Sequence, residues 1–194
     1  MELILPQSKI QTDTTFNQDY FKTWTENMAY TLGLLNSSGF ITTTNVFDIT
    51  LPKKDKYLLK QIAQDMGYIG TLQDTVNRQV ARLTFCSQKI CDDIVSIHVL
   101  DIPKKYYPHF VRGSLDGRSR VNRLKGNRLN IVFQENEFRV IEIILRNELN
   151  LEGSYNEKDG TVAYGNKASR KIGAYIYANN PKIFSKRKRD KFEN

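Results

Sequence analysis

Cysteine and histidine are scarce, with two of each among 194 residues. Cys86 and Cys91 cannot build a disulfide framework, and with only His98 and His109 as imidazole partners they do not match a zinc site of familiar spacing. They read as small buried thiols in a reducing compartment. No apolar run approaches the roughly 18 residues that a membrane-spanning helix needs. The stretch from Met1 to Lys9 also lacks the basic segment and apolar core of a secretory leader. Glycine (11) and proline (5) are too few for a collagenous or low-complexity chain. These absences lead us to expect a soluble cytoplasmic domain with no membrane partner. A chain of this length should bury roughly 70% of its extended surface.

What is present in excess is positive charge, and it is unevenly placed. Residues 1–100 carry 9 Lys and Arg against 10 Asp and Glu, and residues 101–194 carry 20 against 11, so the halves have net charges of −1 and +9. With a pI near 9.4, this asymmetry points to a polyanionic partner, either nucleic acid or an anionic surface.

Hydrophobic periodicity organises the chain into two similar halves. Residues 16–38 have helical spacing through Phe21, Trp24, Met28, Leu32 and Leu35. Alternation at Ile41 and then at Phe47, Ile49 and Leu51 predicts two strands joined through Thr42–Asn45. A helix is expected over 53–66 with Gly67 as its cap, then strands over 69–76 and 80–86, and a helix over 88–99. After Pro103 and Pro108 the order begins again. A short helix should end near Gly117, followed by strands over 119–124 and 128–134 turned at Lys125, Gly126 and Asn127. A helix over 138–149, strands over 151–156 and 161–164, and a helix over 167–178 complete the series. The repeated order helix, two strands, helix, two strands, helix indicates an internal duplication of topology. The expected division is an N-terminal extension at 1–15, a first half at 16–100, and a second half at 101–194 that includes a basic closing segment.

The two opening helices run through MAYTLGLLNSSGFI, residues 28–41, and HFVRGSLDGRSRV, residues 109–121. Phe21, Trp24, Ala29, Tyr30 and Gly33 resemble the first motif helix of the LAGLIDADG homing endonucleases. His109, Phe110, Arg112, Gly113, Leu115, Asp116 and Gly117 resemble the second. Tyr175, Ile176 and Tyr177, followed by Arg187, Lys188, Lys191 and Phe192, are similar to the aromatic-then-basic close of intron-encoded members. The resemblance implies an α+β fold of two pseudo-symmetric halves, with Gly33 and Gly113 at the crossing of the motif helices and saddle-shaped sheets tracking DNA. It also implies metal-binding acids as the last acidic residue of each motif. Here those positions hold Ser38 and Arg118, with Asn36 at the other acidic position of the first motif and Asp116 at that of the second. A serine hydroxyl is a poor Mg²⁺ ligand and a guanidinium is none, so no metal and no cofactor is expected unless cleavage survives.

Strand alternation places Arg120, Asn122, Arg128 and Asn130 on one face, opposite Val121, Leu129, Ile131 and Phe133. Arginine and asparagine on a two-stranded ribbon suit guanine and adenine edges in a major groove. Arg123 and Lys125, near the turn, are expected on phosphates, as are Lys186, Arg187, Lys188 and Lys191. Arg118 is expected as a cation near the central phosphates. Thr42, Thr44, Arg78 and Arg82 form the paler counterpart in the first half. The reading is a monomeric, sequence-specific duplex-DNA-binding protein that has lost cleavage, a regulator or repressor of phage or mobile-element type. Bacterial regulators of the WhiA type use the family's fold in a non-cutting way. A residual site-specific endonuclease requiring Mg²⁺ and an RNA-binding intron maturase remain as alternatives.

Overall fold

The computed structural model describes residues 16–75, 78–98 and 101–193. The expected extension at 1–15 lies outside them. Helix α1 (Glu26–Ser38) starts later than periodicity suggests, because Thr25 is extended and its side chain accepts the Met28 N–H as an N-cap. The aromatic residues ahead of it, Phe16, Tyr20 and Phe21, are buried from a series of turns instead. Strands β1 (Gly39–Ile41) and β2 (Val46–Pro52) follow, turned where Asn45 adopts φ 61° and Thr42 Oγ1 accepts the Val46 N–H. After a 3₁₀ turn (Lys53–Asp55), α2 (Lys56–Asp65) is closed by Gly67 at φ 68°. Strand β3 is only Gln73–Thr75, shorter than expected. Then come β4 (Val80–Cys86) and α3 (Gln88–Ser96), the latter capped by Ser87.

The second half repeats this order with α4 (Tyr107–Asp116), β5 (Arg120–Leu124), β6 (Arg128–Gln134), α5 (Glu135–Leu149), β7 (Ser154–Asn156), β8 (Thr161–Tyr164) and α6 (Asn166–Ile176). One further helix, α7 (Lys186–Glu193), forms from the basic close, where sequence periodicity had assigned no helix. The four-stranded sheets have the equivalent orders β1-β2-β4-β3 and β5-β6-β8-β7, all antiparallel. Phe47, Ile49, Leu51, Ala81, Leu83 and Phe85 line the inner face of the first sheet, and Val121, Leu129, Ile131, Phe133 and Val162 that of the second. Helices α2 and α3 cover the first inner face, and α5 and α6 the second.

The halves meet where α1 crosses α4. A Cβ on Gly33 would stand 2.0 Å from the carbonyl oxygen of Phe110, and one on Gly113 would stand 2.0 Å from that of Tyr30. No side chain of any size fits at either position, so backbone lies directly on backbone. Ser114 Oγ donates to Gly33 O at 3.0 Å, which satisfies a carbonyl in this dry contact. Further along, a Cβ on Gly117 would fall 1.7 Å from Ser37 Oγ. The helix ends therefore close on one another through small residues.

Gly33→Ala and Gly113→Ala should each destabilise the protein by at least about 3 kcal/mol through overpacking. Urea unfolding monitored by circular dichroism measures this, and a loss below roughly 0.5 kcal/mol would contradict the crossing geometry.

Candidate nucleic-acid interface

The centre of the molecule is the place where α1 and α4 end. Ser38 is buried there, Arg118 is exposed, and Asp116 is fully buried. Asp116 Oδ2 accepts the Tyr30 hydroxyl at 3.0 Å and the Ser185 N–H at 2.7 Å. Burial pushes its carboxyl above the usual aspartate range, against the opposing pull of Lys188, these two hydrogen bonds and Arg112. The same burial raises the Tyr30 hydroxyl, reinforced by Asp116.

Lys188 corrects an expectation. It is 2% exposed, and its ammonium donates to Leu115 O, to Gly117 O at 3.0 Å and to Ser119 O at 2.8 Å. It caps the carbonyl end of α4 and neutralises the partial negative charge that gathers there, so it cannot also reach a phosphate. Arg187 lies against the buried Asp55, with Nε at 2.8 Å and Nη2 at 2.6 Å from Oδ2, which ties the last helix to the first half. Lys191 donates to Val121 O at 2.6 Å. Lys186 is exposed, with its ammonium 5.8 Å from the centre of the Tyr57 ring. Arg112, also buried, donates to Ile183 O at 2.9 Å and Ile176 O at 2.8 Å, with Nη2 2.9 Å from His109 Nδ1. Burial and this guanidinium hold His109 below the ordinary histidine range, so Nδ1 accepts.

The outer face of the second sheet presents Arg120, Asn122, Arg128 and Asn130. Register sets Arg120 beside Val132, Asn122 beside Asn130, and Leu124 beside Arg128. Arg120 and Arg128 are exposed, and neither is ion-paired among the described residues. Arg128 Nε does donate to Lys125 O, and Asn130 to Tyr164 O at 3.3 Å. Lys125 sits at the turn tip, where Gly126 and Asn127 both have positive φ. Arg123 falls on the opposite side of its strand from Asn122 and donates to Lys191 O, so it serves the packing of α7 instead of the outer face. In the first half, Thr42 and Thr44 bond one another within the β1–β2 turn. Arg78 is exposed beside β4. Arg82 is closed onto the buried Asp48, with Nε and Nη2 at 3.0 and 2.6 Å from Oδ2, so the two nitrogens of that edge are committed to a carboxylate and not to a base.

No family model matches the sequence, and no curated protein is found as a relative. Solved structures do match. The I-LtrWI LAGLIDADG homing endonuclease bound to target DNA aligns with a TM-score of 0.59 at 11% identity over 91% of this chain and 88% of that one. The homing endonuclease I-WcaI bound to its DNA recognition sequence aligns with 0.59 at 15% identity over 90% and 91%. Full-length DUF199/WhiA from Thermatoga maritima aligns with 0.61 at 14% identity, over 91% of this chain but 63% of that one. The chain has the LAGLIDADG homing-endonuclease fold. Gly33 and Gly113 are the glycines at which α1 and α4 cross, and each repeated half contributes one of the two sheets.

Sequence reasoning missed the chain's internal latch formed by Lys188, Arg187, Asp55 and Ser185. One signal was available: Phe184, Lys188 and Phe192 recur at every fourth position, the inward stripe of a helix. It was masked by the run of basic residues around it.

Lys188→Met should lower stability by about 3 kcal/mol by leaving three carbonyls without a donor and Asp116 without its cation, and calorimetry reads the loss directly. A carboxyl raised by folding contributes stability at pH below its unfolded pKa and loses that contribution as pH rises through the folded value. Wild type should therefore gain in Tm relative to Asp116→Asn as pH falls from neutral towards the ordinary aspartate value of 3.8. A constant difference would show that Asp116 keeps its ordinary acidity.

Proposed function

We propose that the protein binds duplex DNA sequence-specifically and does not cut it, acting as a monomeric DNA-binding regulator or repressor. The observation that carries this reading is the pair Ser38 and Arg118 at the ends of the crossing helices. Two-metal hydrolysis needs carboxylates to hold the ions over the scissile phosphate. A neutral hydroxyl and a guanidinium do not fit a divalent metal, and Asp116, the acid two residues before Arg118, is buried and already accepts two hydrogen bonds.

Binding itself has support from several sides. I-LtrWI and I-WcaI, which share the fold, are bound to DNA in their structures. The outer face of the second sheet carries Arg120, Asn122, Arg128 and Asn130, with Lys125 at the turn. This set combines base-reading and phosphate-contacting side chains on one ribbon. Arg118 contributes an exposed cation where the two helix ends meet, which favours the phosphate backbone and leaves no metal-activated water to attack it. A twisted ribbon suits the wide major groove of B-form DNA and not the deep, narrow groove of A-form RNA.

The test is selection of retained duplexes from a random pool, followed by incubation with Mg²⁺ or Mn²⁺. A defined sequence should emerge and stay intact, and it should outcompete the matching RNA duplex. Metal-dependent cleavage would restore the endonuclease reading, and tighter binding of structured intron RNA the maturase reading. Lys125→Ala should weaken selected and random DNA alike and lower the salt slope by about one.

A further inference from the structure

The two halves place different chemistry at pseudo-equivalent positions of their outer faces. Phe40 lies seven residues after Gly33, and Arg120 lies seven residues after Gly113. Each sits at the start of the strand leaving its motif helix, and so beside the centre of the molecule. Phe40 is 50% exposed, so its ring is open to a partner on the outer face. Its row across the sheet runs through Asp48 to Thr84. That row is closed on itself: Asp48 is fully buried, accepts Arg82 on one oxygen, and accepts Thr50 Oγ1 at 2.9 Å on the other. The ring is what remains to project. The row of Arg120 runs through Val132 to Ala163. On the two adjoining strands Val132 and Ala163 carry no polar side chain, and Arg120 is exposed and not ion-paired among the described residues, so its fork is left to reach outward.

We infer that the DNA target is chemically lopsided about its centre, with a guanine read by Arg120 on the second-half side and a thymine methyl packed on Phe40 at the corresponding step of the first-half side. Arginine matches the two acceptors of guanine in the major groove, whereas an aromatic ring has only apolar contact to offer, and thymine alone presents a methyl there. The inference rests on the reading of the outer faces as the DNA surface.

The duplexes retained in a random selection decide it. A guanine should be enriched on one side of the centre and a thymine at the corresponding position on the other. Replacing that thymine by deoxyuridine removes only the methyl and should weaken binding threefold to fivefold. The same replacement should have no effect on Phe40→Ala. Arg120→Ala should lose tenfold or more on the selected site and relax the guanine preference alone. Phe40→Arg, at a half-exposed position where folding is easily checked by thermal melting, should replace the thymine preference by guanine and make the two sides alike. Equal binding of thymine and deoxyuridine duplexes, or the same base class on both sides for the wild type, overturns the inference while leaving DNA binding intact. Retention of no duplex at all overturns the DNA reading and the inference with it.

Discussion

Everything in this molecule is referred to the contact between Gly33 and Phe110 on one side and Gly113 and Tyr30 on the other. Two helices that touch backbone to backbone have little freedom to slide or rotate, because any displacement drives carbonyl oxygens into Cα positions. The crossing therefore sets where both helices end, and each end sets where the following strand leaves. The positions of Arg118, Arg120 and Phe40 are consequences of that single contact, although none of these residues takes part in it.

The same constraint creates a burden. Two helix carboxyl ends are brought together, and each concentrates partial negative charge at the centre of the molecule. The protein answers on the inside with Lys188, aimed at three carbonyls in and just after the last turn of α4, and on the outside with Arg118. Ser38 at the end of one helix and Arg118 just past the end of the other put no acidic side chain at these two positions, and Ser37 and Ser38 close onto Gly117.

Much of the architecture was legible in the amino-acid sequence for identifiable reasons. Strand alternation is a local property, so the outward set of Arg120, Asn122, Arg128 and Asn130 could be read from the buried set between them. The motif glycines were legible because a glycine inside an apolar helix is costly unless a close approach requires it. What could not be read depends on partners distant in sequence. Arg82 looks like any exposed strand arginine until the register sets Asp48 within its reach. Lys188 looks like one charge in a basic run until α7 docks. The early part of α1 failed for a different reason: Phe16, Tyr20 and Phe21 have helical spacing but are buried from turns, because Thr25 caps the helix after them.

The Asp55–Arg187 pair joins positions 132 residues apart. During synthesis, Asp55 emerges from the ribosome long before its cation exists, and at a typical elongation rate the gap is on the order of ten seconds. Through that interval the first half holds a carboxylate that its folded state buries, so its closed form is disfavoured until the final helix arrives. Nascent chains of this protein should remain incomplete, and open to chaperones, until the basic segment around Arg187 has left the exit tunnel.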